Sequence, residues 1–217
     1  ELEGTTVLVT AGGTQENIDP VRYIGNRSSG KMGYAIAEQA VRMGANVILV
    51  SAPTSLSVPS GVEFVPVDSA LSMQEAVESR YKNVDVVVMA AAVSDFRVLH
   101  KAEQKIKKIE SMTLELVKNP DILQGLGSHK EHQILVGFAA ETEHVIKYGQ
   151  DKVARKNLDM LVANDVSKSN AGFNVDTNEG YFLYPDKEPK EMANMKKSEL
   201  AQYIMKEVVE LVANKHP

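Results

Sequence analysis

Short apolar runs with no polar face recur along this chain, each separated from the next by a segment with helical periodicity. They are Thr6–Thr10 (TVLVT), Asn46–Val50 (NVILV), Asp85–Met89 (DVVVM), Ile134–Phe138 (ILVGF) and Met160–Ala163 (MLVA). A strand that is apolar on both faces has to be covered on both, which a parallel sheet between two layers of helices achieves. The intervening helices have recognisable ends. Ser29–Met43 sets Met32, Ile36, Ala40 and Met43 on one face and stops at Gly44, and Ser69 caps a helix to about Lys82. Asn119-Pro120 opens a helix to about Leu126, and Val145–Asn157 and Lys197–Val212 are two more. Val62–Val67, interrupted by Pro66, is a weaker strand, and Tyr181–Tyr184 (YFLY) a late one. The pattern predicts one α/β domain over 1–217: a doubly wound, mostly parallel Rossmann-like sheet with helices on both faces.

One stretch departs from the alternation. Residues 95–117 contain the basic cluster KIKK (Lys105–Lys108) and then the alternating run Met112–Val117. The alternation predicts a strand in a hairpin outside the main sheet, and an excursion of this length is usually functional or mobile.

Composition narrows the function classes. With 217 residues, 43% hydrophobic and 24% charged, the chain can build a real core. Its net charge of −5 argues against a general nucleic-acid binder. The absence of Cys removes disulfides, thiolate zinc sites and a thiol nucleophile. No apolar run approaches the ~20 residues of a membrane span, and no signal peptide opens the sequence. The expected location is the cytoplasm, with no membrane partner. A start at Glu1 without Met suggests a domain cut from a longer polypeptide.

The segment GNRSSGKMG (25–33) matches most of a phosphate loop, but Met32 stands where that loop needs a hydroxyl for Mg²⁺. It also arrives well after the first strand, whereas a phosphate loop follows its strand directly. Ser28, Ser29 and Gly30 before a helix therefore read either as an anion cradle or as an ordinary helix start. A nicotinamide site finds little support. Gly12 and Gly13 are adjacent rather than spaced as G-x-G-x-x-G, and the Tyr148…Lys152 pair falls on a helix where a solvated face explains it. Small residues after apolar strands, AAAVSDFR (90–97) and GFAAET (137–142), suit ligand approach at the C-terminal edge of a parallel sheet. Asp95 there reads as a ligand for Mg²⁺ or a ribose, or as a turn aspartate. Phe138 is placed to stack on a base. KIKK reads as a solvated loop or, given its neighbours, as charge for a polyphosphate. A non-catalytic nucleotide-binding module remains open on these residues alone.

Together these segments resemble the CTP-using, bacterial phosphopantothenate–cysteine ligase domain of coenzyme A biosynthesis. The carriers are GGTQENIDPVR (12–22), NRSSGKMG (26–33), AAAVSDF (90–96), KIKK, VKNPDIL (117–123), VGFAAET (136–142), Lys152 with Lys156, and ANDVS (163–167), which span most of the chain. The resemblance implies ligation of 4′-phosphopantothenate to L-cysteine through an acyl-cytidylate, with CTP as co-substrate and Mg²⁺ as cofactor. It implies no flavin in this domain, a homodimer, and in many relatives fusion to a flavin-dependent decarboxylase. It assigns Gly12, Gly13, Ser28, Ser29 and Gly30 to the triphosphate and Asp95 to CTP or its Mg²⁺. Met89, Ala90, Ala91, Asp121, Ile122, Leu123, Phe138, Lys152 and Lys156 would contact the nucleotide. Asn26 would hold the acyl group, and Lys105 would supply charge from a flap.

Overall fold

The computed structural model describes residues 1–167 and 177–216. In chain order its elements are β1 (Thr6–Ala11), β2 (Glu16–Asn17), β3 (Tyr23–Ile24), α1 (Lys31–Arg42), β4 (Asn46–Ser51) and β5 (Val62–Pro66). Next come α2 (Ala70–Glu78), β6 (Val86–Met89), β7 (Phe96–Val98), β8 (Leu116–Lys118), α3 (Ile122–Ser128) and β9 (Ile134–Glu141). The chain closes with α4 (Val145–Lys156), β10 (Met160–Asp165), β11 (Thr177–Leu183), β12 (Lys190–Lys196) and α5 (Lys197–Lys215).

The eight-stranded sheet runs β12-β11-β10-β9-β6-β1-β4-β5. All neighbours from β10 to β5 pair in parallel, and β11 and β12 add an antiparallel hairpin. From β1 the chain moves outward through β4 to β5, then crosses back and builds the other half through β6, β9 and β10. The expected doubly wound sheet is therefore present, and its direction reverses between β1 and β6. That reversal opens a crevice at the C-terminal ends of these two strands.

Alternation along the strands feeds two apolar layers. Val7, Val9, Val86, Val88, Ile134 and Val136 pack under α1 and α5 with Ile36, Ala40 and Ile204. Leu8, Val87, Leu135 and Leu161 pack on the other face with Met73, Val77, Leu126 and Val153 of α2, α3 and α4. Burial of such side chains from both faces is the main stabilising term.

Several expected boundaries move. α1 begins at Lys31, not Ser29, because Gly30 adopts a left-handed conformation (φ 80°) as the N-cap and no side chain caps the helix. Asp121, not Asn119, caps α3, and Asn119 turns inward instead. Ser69 does cap α2, in a reciprocal bond with Ser72, but the helix stops at Glu78 and a 3₁₀ turn covers Tyr81–Asn83. The hairpin outside the main sheet is β7 paired with β8, shifted toward Lys118 from the expected Met112–Val117. The β2–β3 ribbon and β12 were not foreseen.

Candidate functional site

The floor of the crevice is made where β1 runs out into Gly12 and Gly13. Ala92 N–H donates to the Gly12 carbonyl (2.8 Å) and Thr14 N–H to the Ala92 carbonyl (3.1 Å), so one bridge continues the sheet past β6. The Asn26 carboxamide lies across this bridge. Its Nδ2 donates to the Ala92 carbonyl (2.9 Å) and its Oδ1 accepts from Ser28 N–H (3.1 Å). Gly13 leaves room for this carboxamide, since a Cβ there would sit 2.2 Å from Asn26 Oδ1 and displace it. Gly30, with φ +80°, passes so close that a Cβ would meet Thr54 Cγ2 at 2.7 Å. Ser29 Oγ accepts from Lys31 N–H (3.3 Å). Gly12, Gly13, Asn26, Ser28, Ser29 and Gly30 thus form one contiguous cluster ahead of α1, with its glycines buried and Asn26 exposed.

Asp95 stands on the opposite rim with its side chain exposed. Its backbone is held from below: Asn119 N–H donates to the Asp95 carbonyl (2.7 Å) and Asn119 Nδ2 to the Ser94 carbonyl (2.8 Å). Glu16, only 2% exposed, lies behind Asn119 and accepts from Ala70 N–H (3.1 Å) at the start of α2. Ser94 N–H donates to Thr14 Oγ1 (2.9 Å), which ties this rim back to the crevice floor. Among the described residues no group of three His, Asp or Glu side chains could hold a metal. A lone exposed carboxylate fits Mg²⁺, which takes most of its oxygens from phosphates and water.

The residues assigned to the nucleotide divide between the two faces of the sheet. Lys152 pairs with Glu141 (2.6 Å) and Lys156 with Asp121 (3.0 Å), all on the α3–α4 side. Burial alone would raise the Asp121 carboxyl, but Gln124 N–H and the Lys156 ammonium hold it below its ordinary value. The side chains of Met89, Ile122 and Leu123 belong to the core on that side, so only their backbone can meet a ligand. Ala90 and Phe138 pack toward the α1–α5 layer instead. A molecule touching both Phe138 and the two lysines has to straddle the sheet edge.

Lys105 is exposed, in a segment that lines an open cavity of about 640 Å³ together with Arg22 and Met112. The segment is tied to the loop after β2. Ile106 N–H donates to Asp19 Oδ2 (3.0 Å), Arg22 Nη1 donates to the Ile106 carbonyl (3.3 Å), and Ala102 N–H donates to the Ile18 carbonyl (2.9 Å). Asp19 also accepts from Val21 N–H (2.8 Å), Arg22 N–H (2.7 Å) and Arg22 Nη1 (2.6 Å). The Ile106 N–H holds the Asp19 carboxyl down at about 2 against the cost of burial, and the Arg22 and Val21 donors add to it. Sequence reasoning missed Asp19, Arg22, Glu16 and Asn119 as parts of the site. The signal available for the first two was Asp-Pro-x-Arg, in which Asp folds its carboxylate onto the N–H groups two and three residues on.

The family model described as the DNA/pantothenate metabolism flavoprotein C-terminal domain matches residues 2–212. This chain belongs to that family. It is 50% identical over 212 residues to the coenzyme A biosynthesis bifunctional protein CoaBC of Bacillus subtilis (strain 168), covering 97% of this chain and 52% of the relative. The CoaBC of Escherichia coli (strain K12) is 44% identical over 214 residues, covering 96% and 52%. The chain thus spans about half the length of the curated relatives it matches. Among solved structures, the C-terminal domain of CoaBC superposes with a TM-score of 0.85 at 44% identity, covering 98% of both chains. A mutant of Cab2 in complex with phosphopantothenate-cysteine shares the fold at 18% identity, with a TM-score of 0.76, covering 98% of this chain and 88% of the other. No described helix is long and apolar enough to cross a membrane.

Proposed function

We propose that this chain is the ligase part of a coenzyme A biosynthesis protein, joining 4′-phosphopantothenate to L-cysteine at the cost of CTP. The supporting observation is the crevice at the β1–β6 reversal, in which Asn26 and the Gly12–Gly13 turn face Ala90–Ala92, within a family whose relatives carry this pathway's name. The phosphopantothenate-cysteine complex of the fold-sharing Cab2 mutant suits the same product class.

In the first step a carboxylate oxygen of phosphopantothenate attacks the α-phosphorus of CTP. An O–P bond forms and pyrophosphate leaves, giving an acyl-cytidylate. In the second, the cysteine amine attacks the acyl carbon, an amide bond forms, CMP departs and the amine loses a proton. Bringing two anions together calls for fixed positive charge and N–H donors aimed at the phosphates. Gly12, Gly13, Ser28, Ser29 and Gly30 would line the triphosphate, Asn26 would orient the acyl group, and Lys105 would stabilise charge on the reacting phosphorus. Asp95 would hold Mg²⁺, which supplies charge neutralisation when bound. Backbone groups of Ala90–Ala92 and Asp121–Leu123 would read the pyrimidine edge, with Phe138, Lys152 and Lys156 completing the nucleotide site. Water has to be excluded because it would hydrolyse the acyl-cytidylate.

The same reading includes a second copy of the chain. Val21 and Ile109 are each 62% exposed, and Tyr23, Phe96, Leu99, Met112 and Leu116 are also exposed on the two small sheets and the loops beside them. Apolar surface of this kind around a site marks an association face. Light scattering is expected to give a dimer, and an active monomer of 23.7 kDa would remove this part of the reading. The decisive assay is pyrophosphate release with phosphopantothenate and each nucleoside triphosphate in turn. CTP is expected to be preferred, because a base that mismatches backbone groups leaves them unpaired at ~1–3 kcal/mol each. Equal kcat/KM with ATP would overturn the nucleotide assignment.

A further inference from the structure

We propose that Asp19 is a positioning residue for Lys105, acting through its grip on the peptide that joins Lys105 to Ile106. The inference rests on the reading of Lys105 as the charge donor of the flap and adds what holds that donor in place. The Asp19 side chain is wholly buried, and both its oxygens are fully used. Oδ1 takes Val21 N–H and Arg22 N–H, which builds the local turn. A neutral Asn or Ser would serve a turn equally well. Oδ2 is directed elsewhere: it takes Ile106 N–H, 87 positions away, and the Arg22 guanidinium.

The same Arg22 nitrogen reaches the Ile106 carbonyl, so the peptide groups on both sides of Ile106 are gripped, one from each end of the ion pair. Lys105 lies one Cα before this grip. Little else anchors its segment. Lys101, Glu103, Gln104, Lys105, Lys107 and Lys108 are all exposed. Among the described residues, the hydrogen bonds that tie 101–112 to the rest of the chain go to Ile18, Asp19 and Arg22. Burying a carboxylate is costly unless every lone pair is answered. Here one of the four hydrogen bonds it accepts goes to a polar surface segment, and a second goes to the Arg22 guanidinium that grips the same residue. Restraining the backbone beside Lys105 removes freedom that would otherwise be lost during the reaction.

Asp19→Asn tests this, because it keeps the side-chain size but turns an N–H₂ toward the Ile106 N–H and the Arg22 guanidinium. Pyrophosphate release in a single turnover is expected to fall ~10–100-fold, with CTP binding changed less than ~3-fold, as for lost positioning rather than lost affinity. Trypsin is expected to cut after Lys105, Lys107 and Lys108 at least ~10-fold faster, since cleavage follows the population of the open form. In a Lys105→Gln background the same change is expected to cost less than ~3-fold, because residues acting through one another are not additive. If the loss stays as large in that background, or if trypsin cleavage is unchanged, the proposal is overturned. If Asp19→Asn does not fold, Ile106→Pro removes the gripped N–H and leaves the Asp19 turn intact, and the same outcomes are read with trypsin scored after Lys107 and Lys108 alone, because trypsin does not cut a Lys–Pro bond. If Lys105→Gln itself reacts normally while Asp19→Asn still frees the segment, the reading of Lys105 fails and the tether stands alone.

Discussion

The two ends of the same parallel sheet are finished in opposite ways. At the N-terminal end of the strands, polar side chains close on neighbouring backbone. Asp85 Oδ2 accepts from Thr6 N–H (2.8 Å) and Asp159 Oδ2 from Leu135 N–H (2.8 Å) and Lys130 Nζ (3.2 Å). Gln133 Nε2 donates to the Tyr81 carbonyl (2.9 Å), Tyr81 OH to the Leu126 carbonyl (2.9 Å) and Lys215 Nζ to the Gln133 carbonyl (2.8 Å). At the C-terminal end, Asp95, Asn26 and Lys105 are exposed, and among the described residues Asn164 Oδ1 is buried without a partner. One end closes its polar groups on the strands, and the other leaves several of them exposed. Perturbing the first should change stability and perturbing the second should change activity.

The largest test is Lys105→Gln. Single-turnover pyrophosphate release is expected to fall ~10²–10³-fold, the scale of deleting one electrostatic donor. Stability should shift within about 0.5 kcal/mol, as for an exposed side chain. A matching loss of Tm would erase the distinction between the two ends.

Gly13→Ala is next. The new methyl cannot coexist with Asn26 Oδ1, and the exposed Asn26 side chain is expected to swing away. A fall of ~10–100-fold in kcat/KM, from misplaced substrate, should accompany a small change in melting.

Tyr81→Phe probes the other end. It removes one of the two hydrogen bonds to the Leu126 carbonyl, which keeps His129 N–H, at a cost of ~0.5–1.5 kcal/mol, read as a Tm lower by ~2–4 °C per kcal/mol in a chain this size. Ligation should be unaffected. Burial first, then the carboxylates of Asp159 and Glu131, push the Tyr81 phenol from 10.0 up to about 12. Because the folded value is raised, its contribution is complete below pH 10.0 and is lost as pH climbs toward 12. The Phe variant should lack that part of the alkaline unfolding curve.

The smallest effect is expected for Lys156→Gln. Its partly exposed pair with Asp121 should be worth at most ~0.5 kcal/mol of stability. CTP affinity should fall ~3–10-fold if the ammonium meets the nucleotide, about 1 kcal/mol in binding. Calorimetry would separate the two numbers.

The N-terminal half of this contrast follows from features plain in the sequence. Uniformly apolar runs such as Val86–Met89 can only be central strands, and their helices bury one stripe each, so the doubly wound sheet was legible. The small elements were not. Glu16–Asn17 and Tyr23–Ile24 are too short for any period to show, and in Lys190–Lys196 only Met192 is buried. Their pairing is imposed by neighbours distant in sequence. At the site, the glycines, serines and Lys105 stood out by local pattern. Glu16 and Asn119 did not, because a charged residue 2% exposed in a two-residue strand, or an amide 4% exposed in a loop, is defined by partners from elsewhere in the chain. The division of Phe138 from Lys152 and Lys156 was readable in principle. Phe138 follows Ile134 and Val136 in strict alternation, which sends it to the face opposite Leu135 and Glu141.

The tether between Asp19 and Ile106 also has a kinetic meaning. The contact closes a loop spanning 87 positions, within which lie β3, α1, β4, β5, α2, β6 and β7. Loop-closure entropy makes so distant a polar contact unprofitable until the intervening strands have paired and shortened the effective loop. The Lys105 segment is therefore expected to assemble last during folding and to be released first in local opening, at a free energy below that of the sheet. A freshly synthesised chain would then pass through a state with a complete sheet and an unorganised Lys105 segment, which settles only when its contacts to Ile18, Asp19 and Arg22 close.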